Sequence, residues 1–217
     1  MRDLLYVPIL HEEVDLGSSG PALARRGAAQ AGERRWALHQ ETVRRFWESV
    51  TECLGRFDPR TMRIYQDGVP VDGALGRRII EEGAGRGSRN YRLILDLLNR
   101  GAQLQAAEQP ALLVQEYENL RSQGHQAPSL EQRERLLEER DVYIARVIDS
   151  TLRKGEMGVL FIGAGHDVLG HVASDIRVRE AKDPGKLQLY ISELLFGTDF
   201  GKVQALARYV AARVDVS

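Results

Sequence analysis

The run Gly158-Val159-Leu160-Phe161-Ile162, followed at once by Gly163-Ala164-Gly165-His166-Asp167, decides how the chain is read. Four consecutive apolar residues bounded by glycine predict a buried strand, and a histidine stands directly beyond its end. A second apolar run, residues 4–10, contains Tyr6, Val7 and Ile9 and also predicts a buried strand. Its Pro8 places it near a strand end or an edge, because proline gives no ladder N–H. Shorter strands are expected at 62–65, 102–106 and 176–178.

Helical patterns fill the intervals. Trp36, His39, Val43, Phe46, Trp47, Val50 and Leu54 recur at helical spacing. Further helices are predicted at 74–82, 88–100, 110–122, 186–195 and 202–213. Ser129 with Gln132 is a capping-box signature for a long helix reaching about residue 154. Residues 14–32, rich in Gly, Ala and Ser, read as a loop. Strands alternating with helices predict an α/β fold, a mostly parallel sheet flanked by helices, in one domain. Such sheets bind ligands beyond the carboxyl ends of their strands.

The 217 residues include 43% hydrophobic and 28% charged, an ordinary globular balance. A net charge of −1 gives no nucleic-acid footprint. No segment reaches the roughly 20 apolar residues that span a bilayer. The first apolar run lacks the flanks of a signal peptide, so a cytoplasmic location is the default expectation. With Cys53 as the only cysteine, no internal disulfide or thiolate-rich metal site forms.

Two clusters follow strands directly: His11-Glu12-Glu13 and Gly163-Ala164-Gly165-His166-Asp167. If the two strands are neighbours, both clusters emerge on one edge. Imidazole with carboxylate suits Zn²⁺, Mn²⁺ or Co²⁺, with His11, Glu12 and His166 as candidate ligands. A plainer reading makes His11 a strand-end residue and the glycines a turn. On the helix beginning at Ser129, Arg140 and Asp141 lie about 40° and 60° from the centre of the apolar stripe at Ile144. Charges on a core-facing stripe need partners or a polar cavity. Arg140 is therefore either half of a structural ion pair or a clamp for a substrate carboxylate, phosphate or oxyanion. Gln66 and Asp67 follow a strand and are candidate substrate contacts at the same cleft, although a turn alone also explains them.

Other residues read as ordinary. His39 is expected to be a satisfied core histidine, and His125 a solvated loop residue. Asp167 and His171 would align only if a helix formed through Gly170. The segment 83–88, with three glycines, lacks the Gly-Lys-Ser/Thr ending of a phosphate loop. No Gly-x-Ser-x-Gly elbow is present, and Cys53 has no nearby base.

Residues 136–145 with Arg140-Asp141, then the strand 158–162, then Gly163-Ala164-Gly165-His166, resemble the TraB/Tiki pattern. That pattern is an Arg-Asn or Arg-Asp helix before a strand that ends in Gly-x-x-His. Pro8-Ile9-Leu10-His11 resembles the second histidine motif of that family, with Pro8 where the family has glycine. Residues 99–113 resemble its Leu-rich helix, strand and acidic residue, here Glu108. The wider superfamily includes erythromycin esterases and ChaN-type haem-binding proteins. The resemblance implies an α/β domain, with some members metal-dependent proteases or esterases. By position it implies His11 and His166 as metal ligands or acid–base groups, a carboxylate from Glu12 or Glu13, and substrate contacts from Arg140 and Glu108.

The expected function is a metal-dependent hydrolase of a small-molecule or peptide substrate. A non-enzymatic metal-, ligand- or haem-binding module on the same scaffold is the alternative. A metal-independent esterase using His11 or His166 as general base, oriented by Glu13, is the third.

Overall fold

Side chains alternate across a strand, and here both faces of the sheet are covered, so the strands read as continuous apolar runs. The computed structural model describes residues 1–10, 20–122 and 128–215. Strands β1 (Arg2–Ile9), β2 (Met62–Gln66), β3 (Gln103–Gln105), β4 (Met157–Gly163) and β5 (Ile176–Glu180) form one sheet. Its order is β3-β2-β4-β1-β5, and every pairing is parallel.

The helices among the described residues are α1 (Gly20–Ala31), α2 (Glu33–Leu54), α3 (Gly73–Gly85), α4 (Arg89–Asn99), α5 (Pro110–Arg121), α6 (Leu130–Thr151), α7 (Pro184–Phe196) and α8 (Phe200–Ala211). Leu5, Val7, Ile9, Val159 and Phe161 face a core shared with α2, α4, α7 and α8. Leu4, Tyr6, Leu160 and Ile162 face the opposite core, against Ile144 and Ile148 of α6. The α/β expectation holds. None of these helices is long and apolar enough to cross a membrane.

Local signals explain the boundaries. Ser129 accepts the Gln132 N–H while the Gln132 side chain accepts the Ser129 N–H, so α6 opens on the expected capping box. Pro8 lies in an interior strand, yet the pairing of β1 with β5 ends at Tyr6 and Glu180. Past that point β1 is paired on the β4 side alone, so the missing proline N–H disrupts no ladder.

One expectation is corrected. Of the presumed loop 14–32, residues 20–31 form α1, because alanine favours helix more strongly than scattered glycine opposes it. Gly27 lies under the Trp36 ring, where a Cβ would come within 2.7 Å of Cζ3. Gly32, at φ 81°, makes the sharp turn into α2.

Gly76, in the first turn of α3, packs against the Val71 carbonyl and Leu104 of β3. A methyl group there meets fixed backbone. Gly76→Ala is expected to cost about 1–3 kcal/mol in urea unfolding through overpacking; an unchanged midpoint would refute this contact.

Candidate active site

The register brings chemistry to the carboxyl edge. Ile9 pairs with Gly163, so β1 and β4 end side by side. Asp67 follows β2 on the other side of β4, and its N–H donates to the Phe161 carbonyl at 2.9 Å. Glu108 follows β3. Helix α6 lies across the same edge and supplies Arg140 and Asp141 from its buried stripe.

Arg140 is the hub of these groups. Its Nη2 donates to Glu108 Oε1 at 2.5 Å and to Asp67 Oδ1 at 2.8 Å, and its Nε to Glu108 Oε2 at 3.2 Å. Its Nη1 lies 2.7 Å from Glu116 Oε2. The Arg140 side chain is 3% exposed and that of Glu108 0%, while Glu116 is 39% exposed. A bidentate guanidinium suits buried carboxylates of this kind. Burial nevertheless pushes the Glu108 carboxyl above its ordinary value, against the pull of Arg140 and with the repulsion of Asp67.

His166 forms the second half of the site. Its Nδ1 is hydrogen-bonded to Asp141 Oδ1, and the Asp167 N–H donates to Asp141 Oδ2 at 2.7 Å. Its Nε2 faces Asp67 Oδ2 at 3.8 Å, and that oxygen accepts the Gly163 N–H at 3.1 Å. Burial opposes the charged imidazole, yet Asp141 and Asp67 outweigh it and raise its affinity for a proton. Asp67 shifts the other way. Burial opposes its negative charge, but His166, Arg140 and the Gly163 N–H hold its carboxyl below the ordinary value.

These directions fix a pH dependence in chelator-treated protein. A raised imidazole value contributes stability that is complete below histidine's ordinary 6.5 and is lost as pH rises through the folded-state value. Unfolding free energy is therefore expected to decline above neutrality, and His166→Gln to flatten that decline. Parallel pH profiles for both proteins would refute it.

Around this centre, Tyr6 points a buried hydroxyl that has no hydrogen-bond partner among the described residues. Burial, then the carboxylates of Asp141, Glu180, Asp167 and Asp67, push its phenol up to about 12. Gln66 is 2% exposed. Its Oε1 accepts from Asn90 Nδ2 at 3.0 Å and its Nε2 donates to the Asp67 carbonyl at 3.0 Å. That arrangement sets the strand end carrying Asp67.

Of the sequence-derived candidates, the fold brings Asp67, Glu108, Arg140 and His166 into one cluster, with Gln66 beneath it. His11, Glu12 and Glu13 lie outside the described residues, as does His125. Asp141, the direct partner of His166, reads in the sequence as a charge needing compensation and as part of the Arg-Asp pattern, without a role at the site of its own. Glu116 went unrecognised, because on a largely exposed helix it carries no signal in the sequence. His171 sits on a short 3-10 turn (Val168–His171) and faces Glu138 of α6 at 3.2 Å rather than pairing with Asp167. His39 is a satisfied core residue. It is 8% exposed, 3.2 Å from the Tyr190 hydroxyl through Nδ1, and lowered to about 4 by burial. The glycine-rich segment 83–88 ends α3 and caps α4, where Ser88 accepts the Tyr91 N–H at 3.3 Å.

Neither protein-family models, curated proteins nor solved structures give a match to the chain. Among the described residues no three His, Cys, Asp or Glu side chains are grouped to hold a metal ion.

Proposed function

We propose that the protein is a hydrolase of a small-molecule or peptide substrate, working at the carboxyl edge of the sheet with His166 as its proton-transfer group. One observation carries this reading: Asp141 holds His166 Nδ1 while Nε2 faces Asp67 Oδ2 at 3.8 Å. A carboxylate on Nδ1 fixes the tautomer whose free nitrogen is Nε2. Nε2 and an ionised Asp67 are both acceptors, so a proton, a water or a cation belongs between them. A water bound by both groups gives its proton to Nε2 as it attacks a carbonyl carbon. Asp141 stabilises the imidazolium that forms, and the same proton passes on to the leaving group.

The cofactor expected from the sequence fits this donor set in part. His166 Nε2 and Asp67 Oδ2 would hold a divalent Mn, Co or Zn ion, and Asp141 on Nδ1 is the outer carboxylate that metal-ligating histidines typically have. Residues 11–12, which follow the strand beside β4, are the proposed source of the remaining ligands. Bound there, the ion would polarise the substrate carbonyl and acidify the water. The TraB/Tiki resemblance points to the same chemistry.

The test combines metal analysis of untagged protein with hydrolysis of a panel of 4-nitrophenyl esters and peptide 4-nitroanilides. Turnover lost in His166→Ala supports the hydrolase, and turnover lost on chelation and restored by Mn²⁺, Co²⁺ or Zn²⁺ supports the metal. A His166→Ala protein as active as the wild type would sink the reading.

A further inference from the structure

Between α5 and α6 lies a cavity of about 370 Å³ whose lining includes Glu116, Asn119, Arg133, Leu136, Leu137 and Arg140. We infer that this cavity binds a small carboxylate bearing an apolar substituent, and that Glu116 is the internal stand-in for that carboxylate.

The charges point to this ligand. Three carboxylates crowd one guanidinium, and they are not equivalent. Glu108 and Asp67 hold Nε and Nη2 from the sheet side, whereas Glu116 meets Nη1 from the cavity. Glu116 is the exposed member of the three, with a side chain 39% accessible. It comes from α5, which carries no fully buried residue among those described. Removing Glu116 from Nη1 therefore breaks an outer contact and leaves the Glu108 pair intact. Arg133 lines the same cavity, is exposed, and has no ion-pair partner among the described residues. With Glu116 turned away, the Nη1 side of Arg140 and the guanidinium of Arg133 are the donors left to meet an anion in the cavity.

The lining also selects the rest of the ligand. Leu136 and Leu137 give an apolar wall and Asn119 a neutral hydrogen-bonding group. The volume suits a molecule about the size of an acylated amino acid, at the small end of ligand pockets. The cavity and the His166 centre share one group, since Arg140 faces the cavity through Nη1 and holds Asp67 through Nη2. If the hydrolase reading holds, on which this step alone rests, the bound carboxylate belongs to the substrate.

Isothermal titration of the full chain with N-acetyl-leucine, N-acetyl-leucinamide and inorganic phosphate tests the site. The acid is expected to bind saturably and the amide not to bind. Glu116→Gln removes the competing charge and is expected to tighten binding about ten-fold, or ~1.4 kcal/mol. Arg133→Gln is expected to weaken it by a similar factor. Equal affinity for acid and amide, stronger binding of phosphate than of the acid, or no gain in Glu116→Gln overturns the proposal. The titration is repeated in His166→Ala. Acid binding there, in a protein whose wild type hydrolyses nothing, removes the hydrolase and leaves the cavity site. Hydrolysis with equal kcat/KM for acidic and neutral substrates, without acid binding, removes the cavity site and leaves the hydrolase.

Discussion

Replacing Arg140 by methionine is expected to destabilise the protein by about 3–5 kcal/mol, the range for removing one partner of a buried ion pair. Methionine restores most of the volume, so the loss reads electrostatics rather than a cavity. Glu108, with its side chain 0% exposed, would keep its charge with no counter-ion and only the Gly68 N–H at 3.4 Å. Asp67 would lose its 2.8 Å donor at the same time. Such a group escapes by taking up a proton, and burial already biases Glu108 that way. Arg140→Met should therefore gain stability as pH is lowered towards the carboxylate range, and more steeply than the wild type, whose Glu108 still has its guanidinium partner. Glu108→Gln in the Arg140→Met background should recover much of the loss, because an amide replaces the orphan charge. Urea denaturation of the two single variants, the double variant and the wild type measures the coupling. Additive losses would mean that the pair contributes nothing jointly.

On the proposed hydrolase reading, Asp141→Asn is expected to lower kcat by about 10²–10⁴-fold, the usual range for impaired general acid–base catalysis. The asparagine presents an N–H or a carbonyl to Nδ1 in place of a carboxylate, so it neither fixes the tautomer nor stabilises the imidazolium. The Asp167 N–H, now 2.7 Å from Asp141 Oδ2, still finds an acceptor if the amide oxygen turns to it. The fold is thus expected to survive, with KM little changed, so that kcat carries the effect. A pH–rate profile adds the decisive reading. With Asp141 gone, the proton affinity of His166 falls, and the limb reporting it should move to lower pH. Unchanged kcat and an unmoved limb would show that Asp141 is only a helix residue anchoring the turn at Asp167.

How much of this was legible follows from the kind of signal each residue carried. The strands at 4–10 and 158–162 announce themselves because both of their faces are buried. The phase of α6 likewise shows that Arg140 and Asp141 face inward and need partners. Which partners they take is not a local property. Glu108 and Asp67 are 32 and 73 residues from Arg140 along the chain, and His166 is 25 from Asp141. Only the sheet order joins them. The pairing of β1 with β4, on which the approach of the two histidine clusters depended, is present. The position of His11 itself falls outside the described residues. The Gly, Ala and Ser content of 14–32 reads as a loop, whereas residues 20–31 form a helix, because composition alone does not separate an alanine-rich helix from a small-residue loop.

The place of β1 between β4 and β5 bears on how the molecule is made. Its first contacts are remote, with Arg2 binding the Asp149 carbonyl 147 residues away and Asp175 at 173. A ribosome must therefore release most of the polypeptide before this greasy ribbon finds either neighbour, and closure of so wide a loop slows refolding. Translation products ending ahead of residue 157 would present an unzipped template for association, and are expected to aggregate more readily than products that include β4.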